Sequence, residues 1–218
     1  MRKLKKRAYS SPLREEGRAQ TQRQILDATR DLLGKQSLEQ ATIADIAEAA
    51  GVGTSTVYAA FKSKDGIVRQ LFEEALFGPK FRAAFARLET ASDPIDAVAA
   101  TAQVARSIYD GERAALGDLR AHAAGSAALH ELDQRFEELR FEMQRARVER
   151  LAKAGLLRPP LKQLEARRIA WMYTGRPVYT MLAVESGWGS KRYAQWLEQT
   201  LLEALVCPQA LAEWREKR

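Results

Sequence analysis

The chain has 218 residues, 46% of them hydrophobic, with 35 Lys+Arg against 28 Asp+Glu and a net charge of +7. That is enough apolar material for a real core, and the basic balance favours an anionic partner. No run of about 18 apolar residues is available to span a membrane, and the lone Cys207 makes neither an internal disulfide nor a cysteine metal site, which points to a reducing cytoplasm.

Most of the positive excess sits at the start. Residues 1 to 24 carry eight basic side chains and two acidic ones, a net +6. The opening "MRKLKKRAYSSPLREEGR" has the basic end of a signal peptide, but no apolar segment follows it. It reads either as a solvated tail or as an arm for a DNA minor groove. From about Arg14 a helix runs to Leu33, with Ile25, Thr29, Leu32 and Leu33 on one face and Gly34 placed to end it. "TIADIAEAAG" is a second, short helix. Thr42 suits its N-cap, Asp45 the third position of a capping box, and Gly51 the left-handed position after its end. After Gly51-Val52-Gly53 a third helix spans about Thr54 to Ala60. Val57 and Phe61 lie on one side of it, and Thr54, Ser55 and Ala59 on the other. Ser63 caps a fourth helix that ends near Gly78-Pro79.

Longer amphipathic segments follow at about 80–90, 94–109, 112–124, 127–154, 161–185 and 190–206, with Asp93 and Ser190 as caps and Pro208 past the last end. No segment alternates like a strand, so the fold class is all-α, with nine to ten helices. The expected division is a basic arm and helix-turn-helix domain over 1–64 and a larger helical domain over 65–218, with the motif itself at about 42–61.

The segment "GVGTST" has the composition of a phosphate loop, yet it follows a helix, lacks a Lys in place and lacks a third glycine. Two short helices joined by a Gly turn, the second with a small polar outer face, instead fit a helix-turn-helix. A plain core hairpin would carry bulkier side chains there. The stretch "TQRQILDATRDLLGKQSLEQATIADIAEAAGVGTSTVYAAFKSKDGIVRQLF" resembles the N-terminal domain of the TetR family of dimeric transcriptional regulators. The resemblance implies that Thr42, Thr56, Tyr58 and Lys64 touch DNA phosphates and that Gly53, Thr54, Ser55 and Ala59 face base edges. Two departures stand out. Gly53 and Ser55 exchange the family's usual Ser and Gly, and Ala59-Ala60 replace a pair that is often aromatic or His. Direct base hydrogen bonds are therefore few, and methyl contacts and DNA shape gain weight.

For the second half the resemblance implies a ligand-binding and dimerisation domain. Candidate ligand contacts are Ile108, Tyr109, Leu119, His122, Phe136, Leu139, Met143, Trp171, Met172 and Tyr173, each of which would serve equally as plain core. Gly and Pro in "MYTGRPVY" are placed to kink the helix they interrupt. Candidate dimer-interface residues are Val178, Met181, Leu182, Tyr193, Trp196, Leu197, Thr200 and Leu201. The expected function is a homodimeric regulator, a repressor released from a palindromic double-stranded DNA operator by a small-molecule effector. A ligand-independent nucleoid-type protein is the alternative. No cofactor, metal site, membrane partner or catalytic residue is implied, since no nucleophile has a base beside it.

Overall fold

A computed structural model of the chain describes residues 12–117, 120 and 127–217. The basic start, up to residue 11, lies outside them. The described residues are almost wholly helical, with eleven α-helices, one π-helical turn and a single isolated β-bridge between Leu157 and Val206. They divide into two compact units. One comprises the described residues up to Leu71 with 120 and 127–129; the other comprises Phe72–Gly117 and 130–217.

In the first unit α1 (Pro12–Leu33) packs on α2 (Ile43–Ala49), and α2 on α3 (Thr54–Phe61). The seam is largely apolar. Ile25, Leu26, Leu33, Ile46 and Val57 are at most 2% exposed. Thr29 is equally buried and removes its polar cost by donating to the Ile25 carbonyl at 2.7 Å. Two or three turns do not hold a helix in water, so α2 and α3 depend on this packing and on their ends. Thr42 accepts from the Asp45 N–H at 3.1 Å while Asp45 accepts from the Thr42 N–H at 2.9 Å, a complete capping box. That hydrogen bonding holds the Asp45 carboxyl below the ordinary carboxylate range. Gly51 takes φ +65° in the turn, and Lys62 takes φ 66° just after α3. α4 (Lys64–Leu76) then begins against Phe61 so closely that a Cβ on Gly66 would lie 2.1 Å from the Phe61 carbonyl oxygen. Only glycine fits there.

In the second unit the centre is α6 (Pro94–Leu116), which packs on α5 (Pro79–Thr90) and on α10 (Ser190–Leu205). Asp93 caps α6, accepting from the Ile95 and Asp96 N–H groups. The expected break between 109 and 112 is absent. α6 continues through Gly111, where a Cβ would sit 2.8 Å from the Ala75 carbonyl oxygen; the glycine lets a neighbouring backbone approach. α7 (Ala127–Lys153) is followed by α8 (Gln163–Tyr173), α9 (Arg176–Tyr179) and the π turn Thr180–Glu185. The expected single helix 161–185 is thus interrupted at Thr174-Gly175, where Gly175 is an extended N-cap and Pro177 occupies the first turn of α9. A last helix, α11 (Pro208–Glu216), is an addition to the expected set. Pro208 is in its first turn, starting a helix as well as following one.

Candidate nucleic-acid interface and buried polar cluster

The first unit presents a polar face on α3 and around its neighbours. Thr42, Gly53, Thr54, Ser55, Tyr58 and Ala59 are exposed, Tyr58 by 53%, whereas Thr56 is half-buried and Val57, on the opposite side, is in the core. One short helix therefore carries hydroxyls at Thr54, Ser55 and Tyr58 and a bare methyl at Ala59. Each hydroxyl donates and accepts, so each suits a phosphate oxygen or a base edge. Thr42 sits at the N-cap of α2, where the helix dipole favours an anion. Of the residues expected to touch DNA, only Lys64 has its charged group turned to the protein itself. Its ammonium donates to the Leu38 carbonyl at 2.6 Å and to the Ala41 carbonyl at 2.9 Å, from a half-buried position at the start of α4.

The second unit holds an apolar core with a polar cluster inside it. Ile108, Tyr109 and Phe136, three of the expected ligand contacts, are 2–3% exposed. Met143, Trp171 and Tyr173 are half-buried. Leu139 and Met172 are 45% and 51% exposed, so these two are surface residues, not wall residues. Helical periodicity alone does not separate the inner face of α7 and α8 from the outer. Leu119 and His122 lie outside the described residues.

Sequence reasoning passed over the polar members. Arg140, Gln144 and Arg147 follow one another on a single face of α7 and are only 4–5% exposed; Thr174 is 2% exposed. Arg140 grips the Glu137 carboxylate with two nitrogens, at 3.1 and 2.5 Å. It also donates to the Trp171 carbonyl at 2.8 Å and to the Thr174 hydroxyl at 2.9 Å. Gly175 admits this group, since its Cβ position lies 3.4 Å from the guanidinium. Arg147 donates to the Met143 carbonyl at 2.6 Å and to the Gln144 side-chain oxygen at 3.1 Å, while its Nε has no partner. Burial lowers its pKa to about 10, with Glu89 pulling the other way. Thr101, Val104, Ala105, Ile108 and Met143 join these polar groups around a cavity of about 10 Å³, roughly the space of one water molecule. The i, i+4, i+7 spacing of Arg140, Gln144 and Arg147 is the signal that would have found the cluster. It was masked because all three count as polar.

A tyrosine trio lies in the same core. Tyr109 donates to the Thr174 carbonyl at 2.9 Å and Tyr179 to Asp110 at 2.9 Å. Burial pushes both pKa values up to about 12, with Asp110 adding to the shift at Tyr179. Burial pushes Tyr193 up as well, and its hydroxyl has no partner.

The expected dimer seam also needs correction. Tyr193, Leu197 and Leu201 are at most 1% exposed within the single chain. They belong to its own core. The side left open carries Met181, 50% exposed, with half-buried Val178, Leu182, Trp196 and Thr200. Val184, also 50% exposed, joins them. The π turn widens the helix and places Met181 and Val184 outward while Ala183 stays inside.

Residues 25–71 match the family model described as "Bacterial regulatory proteins, tetR family". No curated protein matches the chain. Among solved structures, NalD, the secondary repressor of the MexAB-OprM multidrug efflux pump in Pseudomonas aeruginosa, is 20% identical. It covers 88% of this chain and 98% of its own, with a TM-score of 0.68. The SmeT–triclosan complex is 18% identical over 86% of this chain and 92% of that one, TM-score 0.67. A putative transcriptional regulator from Saccharomonospora viridis in complex with choline is 16% identical over 86% and 98%, TM-score 0.62. These likenesses establish a common fold, and residues 25–71, which hold the helix-turn-helix, match the N-terminal domain of the tetR family of bacterial regulatory proteins.

Proposed function

We propose that the chain is a homodimeric DNA-binding transcriptional regulator, a repressor that leaves a palindromic operator when a small molecule binds its second unit. The observation that carries the reading is the outer face of α3: three hydroxyl side chains and a methyl on a short helix anchored by Val57, with a capped helix before it. In this reading Thr54, Ser55 and Ala59 meet base edges beside Gly53. Thr42, Thr56 and Tyr58 meet phosphates, and Lys64 adds its backbone N–H at the first turn of α4. Residues 1–64 form the DNA-binding domain and 65–218 the effector and dimer domain. Val178, Met181, Leu182, Trp196, Thr200 and Val184 face the second copy, because a two-fold dimer is what a palindrome of half-sites about one helical turn apart requires.

The thiol of Cys207 donates to Gln209, and no group of three or more His, Cys, Asp or Glu side chains among the described residues is arranged to hold a metal.

The test is selection of bound fragments from genomic DNA, then footprinting of the selected site. A protected palindrome is expected, with Thr54→Ala changing the preferred sequence and leaving non-specific affinity in place. Binding with no sequence preference at all would sink the reading.

A further inference from the structure

Three buried or half-buried arginines of the second unit come with carboxylates. Arg140 has Glu137, Arg176 has Glu112 and Arg167 has Glu142. This is the expected pattern, because a guanidinium taken from water costs several kcal/mol unless an anion or a full set of acceptors receives it. Arg147 breaks the pattern. It is 5% exposed and forms no ion pair with another described residue. Only a carbonyl and an amide oxygen, both at one terminal nitrogen, receive it, and its Nε is unpartnered. Glu89, exposed on α5, acts on its charge from beyond ion-pair distance. Gln144, Arg140 and Thr174 stand around the same cavity, and its remaining wall is Thr101, Val104, Ala105, Ile108 and Met143.

We propose that Arg147 is the anchor of an organic-acid effector. The carboxylate enters the cavity beside Arg147 and Gln144, and its apolar part lies along Val104, Ala105 and Ile108. A carboxylate offers two acceptor oxygens to the forked donors of a guanidinium, which completes the charge balance that Glu137 supplies for Arg140. The cavity of about 10 Å³ holds one water. Half-buried Met143, unbranched and readily repacked, is the wall that moves to admit the rest of the molecule. Arg140 is a positioning residue here, already held by Glu137, Trp171 and Thr174. The inference rests on reading the second unit as the effector domain.

The experiment uses the full-length protein with acetate, hexanoate and benzoate, each against its amide, at constant ionic strength. Thermal shift reads binding, and displacement from a selected DNA fragment reads release. At least one carboxylate is expected to raise the melting temperature where its amide does not. Arg147→Met and Arg147→Gln should each weaken that binding by about tenfold or more, and Arg147→Lys should retain part of it. Without ligand, R147M is expected to melt at or above the wild-type temperature, since an uncompensated cation has been replaced by an apolar chain. The proposal is overturned if no carboxylate outperforms its amide, or if the carboxylate effect survives in R147M. It is equally overturned if R147M melts well below the wild type and R147K restores it, which assigns Arg147 to the fold alone. Neutral compounds that release DNA from R147M as from the wild type would leave the regulator reading standing and remove the anion. A carboxylate shift in a protein that binds no DNA would do the reverse.

Discussion

Replacing Lys64 by methionine keeps the length and most of the apolar stem of the side chain and removes only the ammonium. Two hydrogen bonds disappear, to the Leu38 and Ala41 carbonyls at 2.6 and 2.9 Å. A hydrogen bond from a charged donor is worth about 1.5–3 kcal/mol net. Lys64 is half-buried, so water reaches part of the exposed carbonyl surface, and about half of the two-bond total is a fair discount for screening. That leaves roughly 1.5–3 kcal/mol. Because each 1.4 kcal/mol is tenfold in an equilibrium, the amides of Ile46, Ala47 and Val57 should exchange about ten- to a hundredfold faster in K64M. DNA affinity should fall with them, since the motif is held less firmly. The dependence of affinity on salt should keep its slope, because no phosphate contact has been removed. Unchanged exchange together with a salt slope smaller by about one would refute this reasoning and return the ammonium to the DNA backbone.

Thr42→Ala removes the side-chain half of the capping box and should cost about 1 kcal/mol in urea-induced unfolding. In the wild type the Asp45 carboxyl is held below its ordinary pKa, so its contribution is present above the ordinary carboxylate range and is lost as pH falls through the lowered value. Unfolding of T42A should therefore be less sensitive to acid than that of the wild type. Gly66→Ala places a Cβ 2.1 Å from a carbonyl oxygen, so the start of α4 must shift. A loss of about 2–4 kcal/mol is expected, visible as a lowered urea midpoint. Arg176→Met removes the cation from a Glu112 carboxylate that is buried to 4% exposure. The expected loss is about 3–5 kcal/mol, and Arg176→Met combined with Glu112→Gln should recover much of it in the same denaturation assay.

What could be read along the chain was local. Thr42 and Asp45 lie three residues apart and declare their capping box without reference to anything distant. Gly51 declares its left-handed turn in the same way. The misreadings arose where a residue has two uses. Gly111 looks like a helix end but lies inside α6, because the backbone at Ala75 comes close to it. Pro208 looks like a stop, yet it opens α11. At the candidate sites, the small polar outer face of α3 was legible because its spacing and composition sit in eight consecutive residues. The inner side of α7 was not, since Arg140 and Arg147 take their burial from α6 and α8, far off in sequence. The resemblance likewise assigns Lys64 to a phosphate, and only the fold brings the carbonyls of Leu38 and Ala41, 26 and 23 residues earlier, to its ammonium.

That lysine also fixes where the reading head can be cut from the rest of the chain. From Ala41 through α2 and α3 to Lys64, and back through its ammonium, the backbone and one side chain form a closed ring around both motif helices. A graft that begins at Thr42 would carry the two helices and their capping box and leave both acceptor carbonyls of the closure behind. The smallest transplantable piece begins no later than Leu38, whose buried side chain and bonded carbonyl belong to the ring as much as the helices do.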